Sequence, residues 1–152
     1  MSPRRKRARK ILNPPGIKAL TPQTRGGGVL NEEPVVLLLE ELESIKLCDY
    51  EAMSHHEASQ LMGVSRPTFT RIYASARKKV ATAFVEVREL IVEGGSVYYD
   101  SDWFQCQGCG CNFNHNDAMP PPSVCPLCGS HRIRNAVESE NVEIDHHQKS
   151  VL

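Results

Sequence analysis

Two pairs of cysteines are the residues in this chain whose type and spacing most directly indicate chemistry. The pairs are Cys106 with Cys109 and Cys125 with Cys128. Residues 110–124 separate them, and a glycine follows each pair, at Gly110 and Gly129. Four thiolates at this spacing can close a tetrahedral metal site in a segment too short to build its own hydrophobic core. We therefore predict that residues 103–134 fold as a four-cysteine metal ribbon.

The sequence leaves the metal open. Zinc is favoured, and it would be structural and redox-silent. Iron is the alternative, because Cys-x2-Cys-Gly followed by Cys-Pro-x-Cys-Gly is similar to the knuckles of rubredoxin-like sites, where iron carries one electron. Disulfides are a third interpretation. The basic N-terminus lacks the apolar segment of a secretory signal, however, so we expect a reducing, cytoplasmic location and no disulfides.

The other cysteines and the histidines are expected to stay outside this site, since four thiolates already fill a tetrahedron. Cys111 is interpreted as a free thiol, with an alternate metal ligand as the other reading, and Cys48 as a small, partly buried residue. The histidines interpreted as solvated are His115, His131, His146 and His147. No nucleophile with a paired base and no open metal position is found, so we expect no enzyme activity.

A second pattern lies upstream, where two helices are predicted around a glycine. Ser54 and Glu57 match a capping box that begins one helix, and Gly63 suits its C-terminus. Ser65 can cap the next helix, with Pro67 in its first turn. A short helix, a glycine turn and a basic second helix together are typical of a DNA-binding helix-turn-helix.

The second helix carries the predicted DNA contacts. Its outward residues are expected to be Ser65, Arg66, Pro67, Thr70, Arg71 and Ala74. We predict that Arg66 and Arg71 read bases, because an arginine fork pairs with the guanine edge, and that Arg77, Lys78 and Lys79 contact phosphates. The alternative is a generic three-helix bundle with arginines on its solvated face.

The charges are separated along the chain although the formal net charge is zero. Residues 1–28 hold eight Lys or Arg and no acid, and residues 29–53 hold seven acids against one Lys. The basic start, Arg4, Arg5, Lys6 and Arg7, is predicted to contact phosphates of double-stranded DNA. The longest apolar run, residues 35–39, is far too short to span a membrane, so no membrane association is expected.

The order of these patterns predicts a mostly α protein with a helix-turn-helix domain and a small β zinc-ribbon or rubredoxin-like module. Apolar residues in 35–49 recur at helical spacing, and the glycine pair at 94 and 95 predicts a hairpin turn. The predicted segments are a flexible basic arm (1–34), the helix-turn-helix domain (35–88), a β-hairpin connector (89–102), the metal ribbon (103–134) and an acidic disordered tail (135–152).

These residues resemble a known family. The stretches that carry the resemblance are PRRKR at 3–7, LEELESIKL at 39–47, the helix at 54–63, GVSRPT at 63–68, SARKKV at 75–80 and EGG at 93–95. They look like the domain-of-unknown-function 134 family, a prokaryotic family of predicted DNA-binding proteins whose helix-turn-helix is similar to region four of sigma factors. The resemblance implies DNA binding and a regulator-like role. Ser59, His55 and His56 depart from the motif, so no family role is carried onto the two histidines.

The leading hypothesis is a sequence-specific, DNA-binding transcriptional regulator with a structural metal ribbon. Helix-turn-helix proteins often bind DNA as dimers, so a second copy of this chain is a possible partner. One alternative is a redox- or metal-responsive protein with a rubredoxin-like iron site. Another is an adaptor that contacts RNA polymerase through its sigma-like domain.

Overall fold

The computed structural model describes residues 8–28, 33–99, 102–115 and 120–136. Within these ranges it contains eight β-strands, three α-helices and one π-helix. In chain order they are β1 (Arg9–Lys10), β2 (Ala19–Leu20), β3 (Val35–Leu37), α1 (Leu39–Ile45), the π-helix (Lys46–Tyr50), α2 (His55–Leu61), α3 (Arg66–Val85), β4 (Leu90–Val92), β5 (Val97–Tyr98), β6 (Asp102–Cys106), β7 (Asn112–His115) and β8 (Ile133–Asn135).

The chain divides into two compact units. Residues Ile17–Gly95 form one, which we call the helical unit, and Met1–Gly16 with Ser96–Leu152 form the other, which we call the cysteine unit. The prediction of a mostly α protein is wrong, because strands occur in both units and build three small sheets from the described residues. Short apolar segments that look helical or irregular in isolation find strand partners far away in the chain.

The sheet of the helical unit has β4 between β2 and β3. β3 runs parallel to β4, with Val36 opposite Ile91, and β2 runs antiparallel to it, with Leu20 opposite Leu90. Val35 and Leu37 are buried and Val36 is exposed, the two-residue period of a half-buried strand. Residues 19–20 and 35–37 therefore form strands where the sequence predicts an arm and the start of a helix.

The hairpin predicted around the two glycines is replaced by a different pairing. β4 and β5 lie in different sheets, and β5 pairs in parallel with β1 in the cysteine unit. Both edges of β4 are already occupied by β2 and β3, so no edge remains for β5. Gly94 and Gly95 have φ values of 73° and 110°, and the Gly94 carbonyl accepts the N–H of Leu39 at 3.1 Å. The Gly94 backbone is thus hydrogen-bonded to the first residue of α1.

Acidic side chains are buried on α1. Glu40, Glu41 and Glu43 are each exposed by 6% or less, whereas the sequence pattern places them on the polar side of an amphipathic helix. The Glu41 carboxylate accepts the Leu38 N–H at 2.9 Å and thereby caps the N-terminus of its own helix. The helix then widens into the π-helix, which ends at Tyr50.

The core of the helical unit lies between the π-helix, α2 and α3. Its buried residues are Leu47, Ala58, Met62 and Phe69, with Cys48, Met53, Leu61, Val64 and Tyr73 packed against them. α2 begins as predicted, since the Ser54 Oγ accepts the Glu57 N–H and the Glu57 carboxylate accepts the Ser54 N–H. Gly63 has a φ of 64°, as a helix C-terminus requires, and the Ser65 hydroxyl caps α3 through the Thr68 N–H. These local features fix the turn between α2 and α3.

The described part of the cysteine unit is built on an antiparallel sheet with β6 between β7 and β8. Phe104 lies opposite Phe113, and their rings stack with centroids 5.9 Å apart. The carbonyl of Trp103 accepts the Ala136 N–H at 2.8 Å. Phe104 therefore packs against Phe113 within the sheet.

None of the helices among the described residues has the length and apolar character needed to cross a bilayer.

Candidate metal centre and candidate nucleic-acid interface

The four predicted ligand cysteines come from two turns of the same geometry. In the first, the Gly108 and Cys109 N–H groups donate to the Cys106 Sγ at 3.2 and 3.4 Å, and Gly110 closes the turn on the Cys106 carbonyl at 2.9 Å. In the second, the Leu127 N–H donates to the Cys125 Sγ at 3.4 Å, and Gly129 closes on the Cys125 carbonyl at 2.9 Å. The closing glycines have φ values of 77° and 74°, a conformation that side-chain-bearing residues rarely adopt.

The correspondence of the two turns extends one residue further. The Cys106 N–H donates to the carbonyl of Cys111 at 3.0 Å, and the Cys125 N–H donates to the carbonyl of Ser130 at 2.8 Å. Cys111 and Ser130 thus hold equivalent positions, each five residues after the first cysteine of its turn. We call residues 106–111 the first knuckle and residues 125–130 the second.

The four sulfurs fit a tetrahedral metal. Their ligand atoms all lie within 4.8 Å of one another. The Sγ atoms of Cys106 and Cys128 are 3.6 Å apart, and those of Cys109 and Cys125 are 3.8 Å apart. Metal–sulfur bonds of about 2.3 Å in a tetrahedron place the sulfurs roughly 3.8 Å apart. Four cysteines this close together could bind a metal ion such as zinc or iron.

The pKa values of the four cysteine thiols differ. The Cys128 and Leu127 amides lower the pKa of Cys125 to about 6, and the Cys109 amide lowers the pKa of Cys106. Although the Ser130 amide opposes the shift, the Cys106 thiol and burial raise the pKa of Cys128 to about 11. Each knuckle therefore favours the thiolate at its first, buried cysteine.

The other candidate ligands lie elsewhere. Cys48 packs against the core of the helical unit, and the exposed His131 points its Nδ1 at the Ser123 carbonyl, 3.2 Å away. The cluster found among the described residues consists of the four predicted cysteines, without Cys111. His146 and His147 fall outside the described residues, and the side chain of His115 is not described.

Helix α3 has one face without acids that is exposed to solvent. Arg66, Pro67, Thr70, Arg71, Ala74, Arg77, Lys78 and Ala81 are all exposed. At about 100° per residue they occupy an arc of roughly 140° around the helix. Phe69, Ala76 and Ala83 lie on the opposite side and are buried. Apart from Ser65, which caps the helix, the outward residues predicted for this helix are thus together on one exposed face, which we call the basic face.

Lys79 does not lie on the basic face. Its Nζ donates to the Glu41 Oε2 at 2.7 Å, and the Ser75 hydroxyl donates to Glu41 Oε1 at 2.7 Å. Lys79 follows Lys78 by about 100° around the helix, which turns its side chain toward α1. Of the three consecutive basic residues predicted to contact phosphate, Arg77 and Lys78 face outward, and Lys79 ties α3 to α1.

His55 is a neighbour of the basic face that the sequence did not single out. Its Nδ1 is 3.1 Å from the Thr70 Oγ1, and its ring packs edge-on against Phe69 and Tyr73. The Arg77 guanidinium lies 5.5 Å from the Tyr73 ring centroid, and the Tyr73 hydroxyl donates to Asp49 at 2.7 Å. The first residue of α2 is therefore positioned to orient Thr70. No sequence signal short of the contact itself indicates this.

The basic start of the chain, with Arg4, Arg5, Lys6 and Arg7, lies outside the described residues, as does the acidic tail beyond residue 136.

Comparison with known proteins places the chain in a family. Residues 1–100 match the family model described as "Protein of unknown function DUF134", so the chain belongs to that family. It is similar to a "UPF0251 protein" of Chloroherpeton thalassium, with 39% identity over 135 residues covering 88% of this chain and 86% of the relative. A second, from Methanothermobacter thermautotrophicus, is 36% identical over 140 residues, which are 92% of this chain and 70% of the relative.

A third relative shows that the likeness spans nearly a whole protein. The "UPF0251 protein" of Pelotomaculum thermopropionicum is 40% identical over 134 residues, 86% of this chain and 98% of the relative. These alignments are longer than the 100 residues of the family model, so they include part of the cysteine unit. No solved structure matches the chain significantly. The family itself carries no established function.

Proposed function

We propose that the protein binds double-stranded DNA sequence-specifically through α2 and α3, as a transcriptional regulator in the cytoplasm, and that the four cysteines hold a structural zinc ion. The observation that carries the proposal is the basic face of α3. It joins arginines, a threonine and a lysine on one exposed arc at the end of a glycine turn. Binding rather than catalysis is the proposed activity.

Charge supports this assignment. Helix α3 contains five basic residues and no acidic one over its 20 positions. Because Lys79 is paired with Glu41, four of the five cations, at Arg66, Arg71, Arg77 and Lys78, remain on the basic face. A cationic helix surface without acids attracts the phosphates of a duplex from either side of a groove.

The order of α2, the turn and α3 also supports the assignment to DNA binding. In a helix-turn-helix the second helix enters the major groove, and its N-terminal residues reach the base edges. Arg66, Thr70 and Arg71 lie in the first turns of α3, where we assign them to base edges, with Ser65 and Pro67 beside them. Arg77 and Lys78, two to three turns further along, are assigned to phosphates. Lys79 is assigned to the ion pair with Glu41 instead.

The zinc ion would act on the fold of the cysteine unit. Four thiolates fill its coordination sphere, so the metal would supply cross-links between the two knuckles rather than a site for substrate. Residues 112–124 separate the two knuckles along the chain, and a metal bound by both would join them directly.

The test is selection of bound duplexes from a random pool with purified, metal-loaded protein at near-physiological salt. We expect a convergent motif, and a two-fold repeat within it would indicate a homodimer. Arg71→Ala should relax preference at one base position, costing about 1–3 kcal/mol of discrimination, whereas Lys78→Ala should weaken all duplexes alike. Failure to converge, with equal effects of the two substitutions, would contradict base reading.

Two alternatives give different outcomes in the same preparation. If the protein is an adaptor, RNA polymerase co-purifies with it and free DNA binds weakly. If the centre holds iron, the protein is coloured and metal analysis finds iron in place of zinc. The basic start is tested separately, with a variant that has alanine at Arg4, Arg5, Lys6 and Arg7. Its slope of log binding constant against log salt concentration should be shallower, by an amount that corresponds to the loss of up to about four phosphate contacts.

A further inference from the structure

Cys111, the remaining cysteine of the cysteine unit, touches the metal centre without belonging to it. Its Sγ is 3.4 Å from the Sγ of Cys125, closer than the 3.6 and 3.8 Å measured between pairs of the four ligand sulfurs. Cys125 is buried, with 2% of its surface exposed, whereas Cys111 is half-buried. The contact thus joins the solvent-accessible thiol of Cys111 to the buried sulfur of the ligand Cys125.

We propose that Cys111 and Cys125 form an oxidation site, which a hydroperoxide converts to a disulfide and which thereby withdraws Cys125 from the metal. This inference depends on the four-cysteine centre and is independent of DNA binding.

Comparison of the two knuckles indicates that the fold does not require a thiol at position 111. Ser130 occupies the equivalent position in the second knuckle and accepts the same backbone hydrogen bond, from the first cysteine of its turn. The Ser130 hydroxyl accepts the Arg132 N–H at 3.2 Å, so that side chain serves the local turn. The Cys111 thiol instead interacts with two sulfurs, that of Cys109 in its own knuckle and that of Cys125 in the opposite one, 3.4 Å away.

The reaction balances with one peroxide. The Cys111 thiolate attacks one peroxide oxygen, so that an S–O bond forms, the O–O bond breaks and hydroxide leaves as water. The Cys125 thiolate then attacks the Cys111 sulfur, so that the S–S bond forms, the S–O bond breaks and a second water leaves. The two thiolates together lose two electrons, and hydrogen peroxide takes up these electrons with two protons from solvent to give two water molecules.

The geometry requires only a small movement. A disulfide has an S–S distance of about 2.05 Å, so the two sulfurs must approach by roughly 1.4 Å. Once Cys125 is in the disulfide, Cys106, Cys109 and Cys128 are left as ligands. A three-thiolate set holds zinc less tightly than a closed four-thiolate set, so we expect the metal to be released.

The test uses the full-length, zinc-loaded protein treated with hydrogen peroxide, with released zinc followed by a chromogenic chelator. Cleavage before aspartates separates residues 102–116 from residues 117–144, so the position of an inter-knuckle disulfide can be mapped by mass spectrometry. The variant is Cys111→Ser, the residue that the second knuckle already has. Cys48→Ser, which changes a cysteine of the helical unit, is the matched control.

We expect the wild type and Cys48→Ser to release zinc together with formation of the Cys111–Cys125 disulfide, and a thiol reductant to restore zinc binding. Cys111→Ser should load zinc normally and release it on the order of tenfold more slowly, because it lacks the adjacent thiol. Equal release rates in Cys111→Ser and wild type, or formation of a disulfide other than Cys111–Cys125, would overturn the proposal. Loss of zinc loading in both Cys111→Ser and Cys111→Ala would also overturn it, since Cys111 would then be a ligand.

Discussion

Lys79 on α3 and Glu41 on α1 form an ion pair with an Nζ–Oε2 distance of 2.7 Å, and the Glu41 side chain is almost completely buried. Glu41 accepts two further hydrogen bonds, from the Leu38 amide and the Ser75 hydroxyl. One carboxylate therefore caps α1 and joins it to the helix that carries the basic face. Because the lysine comes directly after Lys78, two adjacent cations of the same sequence run have different roles.

Replacing Lys79 with alanine should affect stability, and replacing Lys78 should affect binding. Lys79→Ala leaves a buried carboxylate without its cation, which we expect to cost about 1–2 kcal/mol since the lysine itself is partly exposed. Lys78→Ala should leave the free energy of unfolding within about 0.5 kcal/mol of the wild type and lower the salt dependence of DNA binding. Chemical denaturation and binding titrations at several salt concentrations separate the two. Unchanged stability in Lys79→Ala would show that Glu41 does not need the lysine.

The capping box of α2 predicts a pH dependence. The Ser54 N–H, and secondly its hydroxyl, hold the pKa of Glu57 below its ordinary value of 4.5. A lowered pKa in the folded state means that the ionised carboxylate stabilises the protein above the ordinary value, and that this contribution is lost as the pH falls through the lowered one. The melting temperature of the wild type should exceed that of Glu57→Gln at neutral pH, and the gap should close in acid. As a control, Glu93→Gln alters another exposed carboxylate; a gap for Glu57→Gln that persists in acid would contradict the assignment.

Features set by near neighbours could be predicted from the sequence. The Ser54–Glu57 box, the turn at Gly63 and the two knuckles each depend on residues within about six positions, and the structure has them. The exposed positions of α3 follow from the helical period alone. The same period also places Lys79 on a different side of the helix from Arg77 and Lys78. The prediction that all three contact phosphate treats them as one basic run and overlooks this difference.

Features set by distant partners could not be predicted. β3 is a strand because β4, more than 50 residues later, lies beside it, and β4 cannot pair with β5 because its edges are occupied. Glu41 is buried because Lys79, 38 positions away, comes close to it. In each case the local sequence permits two structures, and the tertiary contact selects one.

Gly95 is predicted to tolerate no side chain. Its φ is 110°, and a Cβ there would lie 2.0 Å from the Oε2 of the buried Glu40. Gly95→Ala should therefore cost roughly 2–3 kcal/mol, from backbone strain and displacement of the carboxylate. At Gly94, φ is 73° but an added Cβ would lie 3.9 Å from the nearest atom. Gly94→Ala should therefore lose only the free energy of the backbone strain. Gly26→Ala, at a position with nothing within 4 Å and no positive φ, is the control; equal unfolding midpoints for all three variants would refute the steric argument.

Metal binding at the four cysteines should release protons. Although the Cys111 amide lowers the pKa of Cys109, the Cys111 thiol and burial outweigh it and raise that pKa to about 11. The pKa of Cys128 is likewise about 11, whereas that of Cys125 is about 6. Near neutral pH the first two are thiols, which must lose their protons to become ligands, and Cys125 is already largely ionised.

We therefore expect zinc binding near pH 7.5 to release about two protons or more, so that the apparent affinity falls as the pH is lowered. Isothermal titration calorimetry in buffers of different ionisation enthalpy counts these protons. Cys128→Ser should lower the number by about one and weaken binding, while Cys48→Ser should change neither. Binding without proton release would mean that the cysteines are already thiolates, or that other groups hold the metal, and the Cys128→Ser result distinguishes these two cases.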